Sequence, residues 1–159
     1  MFYSDVASLM MWVGLLAVGA VCMYRMAVTD WRRRIIPDVY LFPTLITGLI
    51  FATFCPWWPT DISSAVIGGT FGYALAAIVG VLFARRHRDD EFPPIGMGDI
   101  KLIMTGGLWM GTTGLAWALA LTCVAASVWA RRNHAKYIPF APFFIISGIL
   151  AFIATTFLL

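Results

Sequence analysis

Charge is scarce in this chain. Only 12% of the 159 residues are Asp, Glu, Lys or Arg, against 61% hydrophobic, and the mean hydropathy is +0.86. Such a balance excludes an ordinary water-soluble domain and points to a membrane. Cysteine is sparse too: Cys22, Cys55 and Cys123 stand far apart, with no CxxC pair. Structural zinc needs clustered ligands, so no metal and no other cofactor is expected. Cys22 and Cys123 are expected to act as small buried apolar fillers. His87 and His134 sit singly in basic stretches without the spacing of a metal site. No basic region opens the chain, where Asp5 is the first charge, so residues from about 7 onward read as a retained span rather than a cleaved signal. Repeats, low-complexity tracts and polar stretches long enough for a soluble domain are also missing. Residues 1–159 are therefore expected to form a single integral membrane domain.

The few charges are placed informatively. Nine of the eleven Lys and Arg fall in three clusters, Arg32 to Arg34, Arg85/Arg86/Arg88 and Arg131/Arg132/Lys136. Arg25 and Lys101 lie near the first two. A net charge of +3 arranged this way reads as membrane topology and argues against a nucleic-acid partner. Apolar runs give spans at about 7–28, 39–54, 62–84 and 138–158. Residues 99–130 are apolar apart from Asp99 and Lys101, which is long for one crossing of about 20 residues. Gly106, Gly107, Gly111 and Gly114 mark a break. Splitting the stretch into 98–110 and 113–130 puts all three basic clusters on one side, as the positive-inside rule requires. The expectation is an all-α membrane protein of six transmembrane helices with short loops and both termini outside. Trp31, Tyr40, Trp129 and Tyr137 then fall near the cytoplasmic boundary, and Tyr3, Trp57, Trp58 and Trp109 near the outer one. The spacings Gly68-xxx-Gly72 and Gly107-xxx-Gly111 allow close helix packing and carry no functional meaning by themselves.

Two aspartates stand at membrane boundaries on the same expected side. Asp30 ends the first span, in Thr29-Asp30-Trp31-Arg32-Arg33-Arg34-Ile35-Ile36-Pro37-Asp38, and Asp99 opens the fourth, in Gly96-Met97-Gly98-Asp99-Ile100-Lys101-Leu102. A carboxylate at the edge of hydrocarbon needs a partner, water or a task. Two carboxylates that meet can hydrolyse a peptide bond without metal, Ser or Cys. One activates water while the other, protonated, polarises the carbonyl and serves the leaving amine. The alternatives are structural: an ion pair of Asp30 with Arg33 or Arg34, and an N-cap role for Asp99. Gly96 and Gly98 allow close backbone approach to Asp99 and favour the dyad.

The two segments above, followed by Tyr137-Ile138-Pro139-Phe140-Ala141-Pro142-Phe143, resemble the type IV prepilin peptidase family. The motifs occur in the family's order and span nearly the whole chain. The resemblance implies a six-span intramembrane aspartic protease of the Gly-x-Gly-Asp type. Such an enzyme removes the basic leader of prepilin or pseudopilin precursors at the cytoplasmic face of a prokaryotic inner membrane. It implies Asp30 and Asp99 as the catalytic pair. Many members have Pro-Asn at Pro37-Asp38 and Gly at Ala141, departures that leave the pair untouched. Longer members carry an insertion with paired CxxC motifs and methylate the new N-terminus. This chain has no such insertion and resembles the short, peptidase-only members of tight-adherence or conjugative pilus systems, so no methyl transfer is expected.

Other residues have weaker claims. Lys101 either orients substrate and tunes Asp99 or snorkels to the boundary, since residues i and i+2 of a helix do not face each other. Pro37 is expected to begin the second span and fix the loop after Asp30. Asp89-Asp90-Glu91 is the one acidic run: a solvated loop, or a surface that attracts the basic leader. The reading from a different class is a non-enzymatic membrane subunit of a transporter or secretion machine, with aspartates that carry protons or brace helices.

Overall fold

The computed structural model describes residues 2–86, 95–134 and 138–157, with side chains described from residue 6 onward. Asp89, Asp90 and Glu91 lie outside the described residues, as do His87, Arg88, Lys136, Tyr137 and Leu159, and the side chains of Tyr3 and Asp5. The described chain is all helical: α1 (Phe2–Arg33), α2 (Asp38–Phe54), α3 (Ile62–Arg86), α4 (Met97–Asn133) and α5 (Phe140–Phe157). Four of these, all but the shorter apolar α2, are long and apolar enough to cross a membrane.

Each helix boundary has a local cause. The Arg34 N–H still bonds to the Asp30 carbonyl at 2.9 Å, but Arg34 itself adopts φ 57°, a left-handed cap that ends α1. Pro37, extended at φ −73°, ψ 131°, is the N-cap of α2, as the sequence predicts. Before α3, the Asp61 carboxylate accepts the Ser63 and Ser64 N–H groups at 3.1 and 3.4 Å. Its contact with Ser64 holds the Asp61 carboxyl below the usual carboxylate range.

α4 is not one rod. Gly111 lies at φ 67°, ψ −173°, a region open essentially to glycine alone, and separates residues 97–110 from 112–133. In a straight helix Ile103 and Leu115 would stand about 18 Å apart. Here both side chains meet Gly72, where a Cβ would lie 3.2 Å from Ile103 Cγ2 and 2.8 Å from Leu115 Cδ2. The chain therefore folds back at Gly111, inside the predicted gap between 110 and 113. A Cβ on Gly68 would sit 2.5 Å from the Gly107 carbonyl oxygen, and one on Gly107 would strike the Gly68 backbone. The glycine spacings thus set how closely α3 and the α4 hairpin pack, by backbone-to-backbone contact.

The outside of the molecule is apolar. Val13, Val21, Phe71, Ile78, Val124 and Leu150 are all exposed, while the interior holds Ala65, Gly68, Gly72, Ala76, Ala118 and Ala151. Large apolar side chains on the outside, with small residues where helices touch, suit a surround as apolar as the core, and would be an extensive sticky patch in water. Among the thiols, Cys55 is the buried one; Cys22 is partly buried and Cys123 is exposed on this outer surface, so the filler role expected for Cys123 does not hold. The predicted boundary aromatics separate to two ends of the bundle. Trp31, Trp129 and Phe143 meet at one, with Trp31–Trp129 centroids 5.6 Å apart; Trp57, Trp58, Trp109 and Phe51 gather at the other, with Trp58–Trp109 at 5.5 Å.

A Cβ at Gly111 meets nothing closer than 3.8 Å, so its obstacle is the backbone conformation alone. Gly111→Ala should lose about 1–3 kcal/mol of stability. Gly14→Ala, with open space around it in the middle of α1, should gain up to about 1 kcal/mol. Equilibrium unfolding in mild detergent checks both, and equal effects would remove the conformational reading of Gly111.

Candidate active site

Asp30 lies in the last turn of α1, where a carboxylate faces the negative end of its own helix. It is nonetheless only 5% exposed. The stabilising partner is remote in sequence: the Ala141 N–H donates to Asp30 Oδ2 at 2.8 Å. Ala141, fully buried, belongs to the first turn of α5, whose opening N–H groups have no partner within their own helix. Pro139 and Pro142 have no N–H, so Ala141 is one of few donors there. Asp30 thereby caps α5 from outside and sits at its positive end. This hydrogen bond, and not the alternative of an ion pair with Arg33 or Arg34, holds the carboxylate, although the Arg34 charge lies within electrostatic reach.

Asp99 is the third residue of α4, not its cap. The N-cap is Gly96, extended at φ −67°, ψ 146°, and the Asp99 N–H bonds to its carbonyl at 3.0 Å. The Asp99 carboxylate turns back to the Gly96 N–H, the reach of a capping box from the third helical position. The N-cap alternative is thus corrected: Gly96 is the cap, and a side chain there would crowd the Asp99 carboxylate. A Cβ on Gly96 would come within 3.3 Å of Asp99 Oδ2.

Asp30 at the end of α1 and Asp99 in the first turn of α4 lie within electrostatic reach of each other. The loop after Asp30 is pressed onto the start of α4. A Cβ on Gly98 would lie 3.0 Å from Ile36 Cβ, so the missing side chain is what lets Ile36 in. Beside it Lys101 Nζ donates to both Asp38 oxygens, at 2.9 and 2.8 Å. Lys101 therefore neither points at Asp99 nor snorkels freely: it ties α4 to the start of α2. Met26, Leu41, Ile100, Leu102 and Phe144 fill the apolar core directly behind these helix ends. Among the described residues no group of His, Cys, Asp and Glu could hold a metal ion.

Comparison with known proteins gives this geometry a context. The sequence model of the type IV leader peptidase family matches residues 15–131, a stretch that contains both Asp30 and Asp99. The chain belongs to the type IV leader peptidase family. It is 28% identical over 149 residues to a prepilin leader peptidase/N-methyltransferase of Xanthomonas campestris pv. campestris, covering 89% of this chain and 50% of the relative. An Aeromonas salmonicida protein of the same description is 30% identical over 129 residues, 77% of this chain and 43% of its own length. The chain thus spans about half the length of these relatives or less. The leader peptidase HopD of Escherichia coli is 25% identical over 130 residues, which is 76% of this chain and 80% of that protein. No solved structure matches.

Of the residues singled out in the sequence, Asp30, Asp99, Gly96, Gly98, Lys101 and Pro37 all reach this end of the bundle. Sequence reasoning missed Ala141 as a donor and Asp38 as the partner of Lys101. The two prolines around Ala141 were the available signal for the first. Nothing local signals the second, since the pair is 63 residues apart.

Lys101 and Asp38 have side chains 32% and 49% exposed, so their ion pair should add less than about 1 kcal/mol to stability. Lys101→Met and Asp38→Ala should each lower stability by no more than that, and the double variant should be no worse than one single. Independent, additive losses in a double-mutant unfolding cycle would show that the two side chains do not act as a pair.

Proposed function

We propose that this chain is a prepilin leader peptidase: an aspartic endopeptidase that removes the basic leader of prepilin or pseudopilin precursors. The observation that carries the reading is the convergence of Asp30 and Asp99 from two different helix ends. One carboxylate, held by the Ala141 amide, and the other, backed by Gly96, can divide the work of base and acid around a water and a scissile carbonyl. Family membership and the relatives named as leader peptidases support the same reaction. A proton-carrying or bracing subunit fits less well, because a relay distributes its carboxylates through the bilayer, whereas these two share one end.

The proposed setting is the inner membrane of a prokaryote. The chain crosses it six times, with both termini outside and the aspartates on the cytoplasmic side. The fold-back at Gly111 supports two crossings within α4, and the Lys/Arg clusters support the orientation. The acidic run Asp89-Asp90-Glu91 remains the proposed attractor of the leader. Reporter fusions at Trp58 and after Leu159 should both read as external. A cytoplasmic signal at Leu159 would require an odd number of crossings and overturn the arrangement.

Asp30→Asn and Asp99→Asn keep side-chain shape and lose the ability to act as base or hold the catalytic proton. Each should abolish leader cleavage by the purified, folded protein, while Asp38→Asn, which still accepts from Lys101, should retain most of it. Mass spectrometry of the wild-type product should show an unmodified N-terminus, because the chain has no CxxC-bearing insertion. Substantial turnover by a folded Asp30→Asn or Asp99→Asn protein would refute the dyad, and a methylated product would refute the peptidase-only reading.

A further inference from the structure

The two helices that carry the aspartates meet only through side chains. Among the described residues no Cα of α1 lies within 8 Å of one in α4; α1 packs on α2 and α5, and both of those pack on α4. The placement of Asp30 relative to Asp99 is therefore transmitted through two intermediaries. One route is α5, where the Ala141 amide holds Asp30 and the Phe144 ring covers Gly106 of α4, 2.6 Å from where a Cβ would stand. The other is α2, which Asp38 opens directly after the short loop that leaves Asp30.

Polar contacts tie α2 to the first half of α4 at two levels. Away from the aspartates, Trp109 Nε1 donates to the Thr44 carbonyl at 2.8 Å, and Gly48 leaves room for the indole. At the aspartate end, Lys101 Nζ donates to both Asp38 oxygens, at 2.9 and 2.8 Å. Ile36 against Gly98 adds an apolar contact there. Apolar contacts are non-directional, whereas charge-assisted hydrogen bonds are short and set both distance and direction. Lys101 shares the opening turns of α4 with Asp99, so whatever holds the Lys101 side chain also holds the backbone that carries Asp99.

We infer that Lys101 and Asp38 are positioning residues for the cleavage reaction: their pair holds the start of α2, and with it the loop from Asp30, in register with the turn of α4 that carries Asp99. This rests on the peptidase reading above. Lys101 acts through Asp38 and not on the carboxylate two residues away, since residues i and i+2 of a helix do not face each other. The pair is partly exposed and adds less than about 1 kcal/mol to stability. A displacement of reacting groups on the order of 1 Å can nevertheless cost about a hundredfold in rate. Loss of the pair is therefore felt in turnover before it is felt in folding.

The test uses the full chain in lipid nanodiscs and has two readouts. In leader cleavage, Lys101→Met and Asp38→Ala should each lower kcat about tenfold, with KM changed less than about twofold. Lys101→Arg and Asp38→Asn, which keep a donor facing an acceptor, should retain most of the activity. The exchanged pair, Lys101→Asp with Asp38→Lys, should exceed Lys101→Asp alone. The second readout needs no substrate. In an Asp30→Cys, Asp99→Cys protein with its other cysteines replaced, Lys101→Met should slow cross-linking by a short bis-thiol reagent severalfold. An unchanged kcat, a raised KM alone, or a kcat loss with an unchanged cross-linking rate would overturn the inference and leave a surface ion pair or a substrate contact. A wild type that does not cleave, with cross-linking still slowed by Lys101→Met, would count against the peptidase reading and for the positioning role.

Discussion

A carboxylate buried at the carbonyl end of its own helix is in an unfavourable place, and Asp30 stays there because the Ala141 amide donates to it at 2.8 Å. That one hydrogen bond fixes the end of α1 against the start of α5, joining elements more than a hundred residues apart. It also explains two other features of the sequence. Pro139 and Pro142 leave α5 with few opening donors, so the free amide is directed rather than shared. Ala141 is fully buried, which shields the bond from competing water.

Around this anchor the remaining contacts act by placement more than by energy. The Lys101–Asp38 pair is too exposed to stabilise the fold strongly, yet it links the two residues that follow each aspartate's helix boundary. Gly98 admits Ile36, and Gly96 leaves room for the Asp99 carboxylate. Farther along the bundle, Gly68, Gly72 and Gly107 let backbones touch, and Gly111 turns α4 back on itself. In an apolar solvent such close approach, and not the hydrophobic effect, holds helices together.

Much of this could be read from residues alone. The helical spans, the break near Gly111, Pro37 as the start of α2 and the gathering of Asp30 and Asp99 at one end follow from charge placement and apolar runs. Those signals are local or topological. What escaped reading depends on side-chain direction and on partners distant in sequence: Ala141 facing Asp30, Asp38 facing Lys101, Gly96 in place of Asp99 as the cap. The glycine spacings were visible, but their meaning was not, because in a glycine-rich chain only a partner helix decides which of them make contact. The exposure of Cys123 shows the same limit, since an apolar helix gives little indication of which face turns outward.

The central claim is that Asp30 and Asp99 occupy one site. Its most direct test places Asp30→Cys and Asp99→Cys together in a background with Cys22, Cys55 and Cys123 replaced by Ser, and treats the protein in membranes with a short bis-thiol reagent. The account predicts an intramolecular cross-link between positions 30 and 99, found by mass spectrometry after proteolysis in near-quantitative yield. Modification of both thiols by separate reagent molecules, with no bridge between them, would contradict it.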